Sequence, residues 1–220
     1  VSDTVAKNPV AANLATDFFS RICAEGYFGV QLFFAISGLI LALPFADHFL
    51  ASAPKVSLKK YFTRRVLRLE PPYIINLLLC AALAIVLWPM PLSSLAQHWL
   101  ASATYTHFLW FGEASAINTV AWSLEIEVQF YILAPFLAFV FAIPAPIIRR
   151  SVIVGAIAGF AFVQRFFDPV AYQPTFGFTI AQQLHWFLVG FLLADVYVSH
   201  WRRNPTNGSL AWDAVALFSG

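Results

Sequence analysis

The side chains in this chain best suited to chemistry are two carboxylates and a group of arginines. Glu125 and Glu127 lie in "AWSLEIEVQFYILAPF", residues 121–136, with nothing basic near them in sequence. An ionisable group in hydrocarbon costs roughly 2.5–3.5 kcal/mol on insertion scales, so each is expected to face a protein interior or a wet cavity. At about 100° per residue the two lie about 200° apart around a helix and cannot share one partner. Trp122, Glu125 and Gln129 make one stripe, and Ser123, Glu127, Phe130 and Tyr131 make another; only one is expected to line a site. In a purely structural reading, both carboxylates sit in the first two turns of a helix, where water reaches them and the helix dipole favours negative charge. Glu127, roughly 12 Å inside a start at Val120, is the deeper and is the candidate for chemistry.

"KKYFTRRVLRLEPPY", residues 59–73, places Arg64, Arg65 and Arg68 on adjoining faces of one helical turn. Arginine forks make paired hydrogen bonds to phosphate oxygens, so the group could clamp a phosphorylated ligand. The ordinary alternative is a juxtamembrane basic stretch that fixes topology and touches anionic lipid. Pro71 and Pro72 are expected to end this turn or to open the next helix. Ser37 and Gly38, and the "GAIAG" of residues 155–159, have the small residues that let helix backbones approach, and packing is their expected role. Of the five His residues, His48 and His200 fall at helix ends on the basic side, His98 and His107 in an outer segment, and His185 within an apolar span. Cys23 and Cys80 support neither a disulfide framework nor a zinc spacing.

The elements that must position these groups follow from composition. The 220 residues are 60% apolar and 11% charged, against roughly 25% charged in a soluble domain, with mean hydropathy +0.73. Residues 26–46, 128–148 and 169–194 carry no Asp, Glu, Lys or Arg and are each long enough to cross a bilayer. The pattern predicts an all-α multi-pass transmembrane bundle, residues 1–220 forming a single membrane-embedded domain incomplete at both ends. About five full spans are expected, near 27–46, 71–89, 120–143, 151–167 and 179–199, with a truncated one from Leu210. Leu95 to Phe111, broken by Gln97, His98, Thr104, Thr106 and His107, reads as one interfacial or re-entrant segment. With the first span running inward, ten of the 13 Lys and Arg residues share one side: Lys55, Lys59, Lys60, Arg64, Arg65, Arg68, Arg149, Arg150, Arg202 and Arg203. The 47–68 loop is then cytoplasmic.

Three stretches, "GVQLFFAISGLIL" (29–41), "RRVLRLEPPY" (64–73) and "WSLEIEVQFYILAPF" (122–136), together resemble the acyltransferase 3 family of bacterial multi-span membrane enzymes. "HWFLVGFLLAD" (185–195) is similar to a fourth family stretch, and the four occur in the family's order. The resemblance implies an O-acyltransferase of the bacterial cytoplasmic membrane that moves an acyl group, acetyl in the first instance, from acyl-CoA to a hydroxyl of a sugar or glycan. Acyl-CoA, the acceptor and the lipid bilayer are the implied partners, with no nucleic acid, no bound cofactor and no metal. Position by position, it sets the membrane Glu on Glu127 as the catalytic residue and the donor-binding Arg-x-x-Arg pair on Arg65 and Arg68, beside Arg64. Trp122, Ser123 and Tyr131 are acceptor-site candidates, since aromatic faces suit sugar rings. The family's Arg and, eleven positions on, a His expected to act in transfer have no counterpart before Gly26, so a helix ahead of Val1 is the expected place for them. A transporter with proton-relaying carboxylates, or a non-catalytic membrane subunit, is the rival class; the paired interrupted helices of the former are not seen.

Overall fold

The computed structural model describes the backbone of residues 9–87, 91–167 and 180–202, and the side chains of 28–87, 91–165 and 180–202. These residues are helical with no strand, in the order α1 Pro9–Leu50, α2 Leu58–Leu87, α3 Leu92–Ala103, α4 His107–Phe111, α5 Trp122–Leu137, α6 Pro146–Phe167 and α7 Ile180–Val196. A 3-10 turn, Thr119–Ala121, leads into α5, and another, Ala138–Ala142, continues it; a π turn, Tyr197–Trp201, ends α7. Four stretches among the described residues are long and apolar enough to cross a membrane: Phe28–Leu50, Leu58–Leu87, Thr119–Ala142 and Pro146–Arg165. The fifth expected span is α7, whose described part has 17 residues. The expected span from Leu210, and the residues just ahead of α7, lie outside the described residues.

The bundle has two distinct ends. Phe34 packs on Trp122 and on Phe187, and Phe49 packs near Phe139, so α1, α5 and α7 run in one direction. At the end they run toward, Arg202 pairs with Asp47 at 2.6 Å and Arg149 and Arg150 both bond Asp195. The loop with Lys55 and the first turns of α2 lie at this basic end. At the opposite end α3 and α4 turn back without crossing: α3, with 12 residues, is about 18 Å long, and Tyr73 of α2 holds it by donating to the carbonyl of Ser102 at 2.9 Å. The interfacial or re-entrant expectation for residues 95–111 therefore holds.

Helix α7 is apolar on nearly all sides because α1, α5 and α6 surround it. Lipid is as apolar as leucine, so close packing and small residues must hold such helices together. A Cβ on Gly38 would lie 2.2 Å from the carbonyl oxygen of Phe187, and one on Gly190 2.2 Å from that of Ala35. Only glycine permits this crossing of α1 and α7. Around it Phe34, Phe130, Phe141, Phe187 and Phe191 form a stacked core, with Phe130 and Phe187 ring centroids 3.9 Å apart. The "GAIAG" expectation is corrected: Cβ atoms on Gly155 and Gly159 would meet nothing within 4 Å, so that face of α6 touches no described helix.

A second correction concerns Pro71 and Pro72, which neither end the basic turn nor open a helix but sit inside a continuous α2 of 30 residues. Each removes one intrahelical N–H, leaving the carbonyls of Leu67 and Arg68 without their usual donors. The basic turn and the following span are consequently one rigid rod, and the arginines are carried into the bundle on it.

Candidate functional site

Glu127 is 6% exposed, and its Oε1 accepts two hydroxyl hydrogen bonds: Tyr131, one turn on, at 2.6 Å, and Ser37 of α1 at 3.2 Å. Its Oε2 accepts from no described group. Charged acceptors make short, strong bonds, which matches the Tyr131 distance. The expectation that Ser37 serves packing is corrected by this bond; Gly38 packs, while Ser37 turns its hydroxyl to the carboxylate. Sequence signalled Ser37 only as a small mid-span residue.

Tyr131 is fixed from its other side by a consequence of Pro135. A proline four residues on cannot donate to the Tyr131 carbonyl, and the Tyr61 hydroxyl of α2 takes the vacant place at 3.2 Å. The guanidinium of Arg65 lies over both rings, 5.7 Å from the centroid of Tyr131 and 6.0 Å from that of Tyr61, within cation–π range. Arg65, Tyr131, Glu127 and Ser37 thus form one connected group across α2, α5 and α1.

A cavity of about 710 Å³ joins these residues. Ser37, Arg65, Arg68, Glu127 and Tyr131 line it, with Ser123 and, farther from the arginines, Asn76 and Asn118. Its volume is in the range of small-molecule sites, roughly 300–1,000 Å³. A second cavity of about 610 Å³, at the basic end, is lined by Lys55, Lys60, Arg64, Arg65 and Arg68. Ile40, Arg65 and Arg68 belong to both walls. None of these five cations pairs with a carboxylate among the described residues, so their charge is available to an anion.

The structure separates the two carboxylates. Glu125 is 3% exposed and not in water; its Oε2 accepts from the backbone N–H of Phe108 at 3.2 Å, pinning the short α4 against α5. This corrects the structural reading that placed both carboxylates within reach of water. Of the acceptor-site candidates, Ser123 and Tyr131 line the large cavity, whereas Trp122 packs edge-on against Phe34 in the core. Asn76 and Asn118 line the cavity without having stood out in the sequence, where single amides carry no pattern.

None of the described histidines lines either cavity, although His48 bonds a residue on the wall of the basic one. His98 Nδ1 and His107 Nε2 are 2.8 Å apart, and His107 Nδ1 donates to the Glu113 carbonyl at 3.1 Å. Burial pushes the His107 pKa below its ordinary value, a shift partly opposed by that carbonyl. His48 Nδ1 bonds the Ala53 carbonyl, His200 sits beside Arg150, and His185 is buried against Trp186. Among the described residues no group of three or more His, Cys, Asp and Glu is arranged to hold a metal.

A family model for the acyltransferase domain of the acyltransferase 3 type matches residues 1–218, and the chain belongs to that family. No curated protein and no solved structure matches it. The domain is a membrane acyltransferase.

Proposed function

We propose that this domain moves an acyl group, acetyl in the first instance, from acyl-CoA to a hydroxyl of a sugar or glycan. The single observation that carries the reading is a cavity lined by Glu127, Arg65 and Arg68, of which the two arginines also line a second cavity whose cations have no carboxylate partner among the described residues. The nucleotide phosphates of acyl-CoA suit the basic cavity, where Arg64, Lys55 and Lys60 add to the shared pair. The thin pantetheine arm then passes Arg65 and Arg68 and brings the thioester beside Glu127.

In the transfer, the acceptor oxygen attacks the thioester carbonyl carbon, the carbon–sulfur bond breaks, and the proton of the hydroxyl passes to a general base. Coenzyme A leaves as the thiol after taking a proton. Glu127, with Oε1 held by Ser37 and Tyr131, keeps Oε2 to orient the base or the attacking hydroxyl. A histidine base bonded to Oε2 would be held by Glu127 in the tautomer that accepts this proton. The ten basic residues that the sequence pattern assigns to one side favour the bacterial cytoplasmic membrane with that side inside, where acyl-CoA is found.

The test supplies radiolabelled acetyl-CoA to membranes carrying the full-length gene product. Label on a glycan supports the reading. Movement of an unmodified solute across the membrane, with no label transferred, refutes it in favour of a transporter.

A further inference from the structure

The end of the large cavity away from the arginines is lined by two amides. Asn76 on α2 and Asn118 ahead of α5 both line it, and Asn118 Nδ2 donates to Asn76 Oδ1 at 2.7 Å. Asn76 is two turns beyond Arg68, about 12 Å along the helix. It lies within a stretch apolar enough to cross the membrane and is exposed. An exposed primary amide in a membrane-spanning stretch is poorly matched to hydrocarbon, so its polar atoms on a cavity wall suit a polar occupant.

The orientation of both amides follows from one backbone group. The Val120 N–H at the start of the 3-10 turn can only donate, and it donates to Asn118 Oδ1 at 3.2 Å. This fixes Asn118 with its NH₂ toward Asn76, which must answer with its carbonyl oxygen. The Cys80 thiol, at 3.7 Å, adds a weak contact to the same oxygen. Both N–H bonds of Asn76 are left without a described acceptor. The far end of the cavity therefore presents donors to whatever lies in it.

We infer that Asn76, held in this orientation by Asn118, binds the acceptor through its oxygen atoms at the cavity mouth opposite the acyl donor. The inference rests on the acyl-transfer reading and gives its acceptor a place. Two N–H donors set side by side suit neighbouring hydroxyl or ring oxygens of a sugar. Asn76 is the binding residue and Asn118 the positioning residue. Donor and acceptor then reach Glu127 from opposite ends of one cavity, so neither must leave for the other to bind.

The experiment uses full-length protein in membranes, with radiolabelled acetyl-CoA as donor and a glycan extract of the same membranes, titrated by hexose content, as acceptor. Asn76→Leu should raise the half-saturating glycan concentration at least 10-fold while the KM for acetyl-CoA stays within 2-fold. Asn118→Asp keeps the acceptor for Val120 but loses the NH₂ that fixes Asn76, and should give a smaller shift in the same parameter. Unchanged glycan dependence in N76L overturns the inference and leaves the acyl-transfer reading standing. A parallel rise in both half-saturation values marks a merely structural clasp and also overturns it. Turnover of acetyl-CoA with no label on glycan overturns the sugar-binding role. A wild-type protein that does not turn over acetyl-CoA overturns the acyl-transfer reading, and this inference with it.

Discussion

Replacing Glu127 by Gln separates charge from shape. Glutamine has the same outline, and its carbonyl oxygen can accept from Ser37 and Tyr131 as Oε1 does, so the helix contacts survive. Converting two charge-assisted bonds to neutral ones costs about 1–2 kcal/mol of local stability. What disappears is the negative charge and the second acceptor, replaced by an NH₂ that cannot hold a hydroxyl proton or a histidine N–H. Loss of an acid–base partner lowers turnover by about 10²–10⁴-fold, or roughly 3–5 kcal/mol of barrier. Two further variants calibrate the effect. Tyr131→Phe removes the 2.6 Å bond and leaves the charge, and a bond to a charged group is worth about 1.5–3 kcal/mol, so turnover should fall about 10–100-fold. Ser37→Ala removes the longer 3.2 Å bond and should cost about 5-fold. The assay is transfer of label from acetyl-CoA by membranes matched for protein abundance by immunoblot. The reasoning fails if E127Q keeps more than about a tenth of wild-type transfer, or if Y131F or S37A is the most damaging of the three.

Other consequences can be checked separately. Arg65→Lys loses the planar fork and its stacking on Tyr61 and Tyr131, so the KM for acetyl-CoA should rise about 10-fold with abundance unchanged, read from donor titrations. Asp195, 0% exposed, faces both Arg149 and Arg150; Asp195→Asn leaves the buried Arg149 charge uncompensated and should destabilise by about 3–5 kcal/mol, seen as a lower melting temperature in detergent. Gly38→Ala and Gly190→Ala drive a methyl into backbone and should reduce folded protein on size-exclusion chromatography, whereas Gly155→Ala, in open space, should be neutral or stabilise by up to about 1 kcal/mol. The lowered pKa of His107 means that the unfolded segment binds a proton before the folded one does. Stability of α3–α4 is therefore present above the ordinary histidine pKa and is lost as pH falls below it, which hydrogen exchange of residues 92–111 at pH 5 and pH 7.5 would detect, roughly either side of that value.

The sequence made some of this legible and hid the rest for physical reasons. Hydropathy located the helices because a bilayer demands long apolar runs, whereas distance from the helix start does not separate the two carboxylates, Glu125 being 3% and Glu127 6% exposed. Gly38 was readable because close helix crossings need small residues. Ser37 was not, because a hydroxyl and a glycine side by side give one composition signal, and only the turn of α1 shows which of them meets α5. Continuity of α2 through Pro71 and Pro72 was hidden because local rules treat paired prolines as boundaries, while helix packing in a membrane can carry a rod across them. Glu125 was ambiguous because its partner, the Phe108 N–H, lies 17 positions away on a segment whose fold-back hydropathy alone does not fix.

The helix-internal prolines connect these points. A proline in a helix frees the carbonyl four residues before it, and within a membrane irregular backbone is tolerated only where protein or water can satisfy it. Pro44 frees Ile40, Pro72 frees Arg68, and Pro135 frees Tyr131. All three freed residues line the large cavity, and Ile40 and Arg68 also line the basic one. Pro71 is the exception, since Leu67 is exposed and lines neither. At Tyr131 the use of the freed group is visible, because the Tyr61 hydroxyl bonds it and this sets the Tyr61 ring, one of the two over which Arg65 lies. Restoring the N–H with Pro135→Ala would return that carbonyl to its own helix and release Tyr61. The arginine would then lose one of the two rings that hold it, and donor binding should weaken although no residue touching the donor has changed. A site built this way depends on the backbone defects of three helices as much as on its charged side chains.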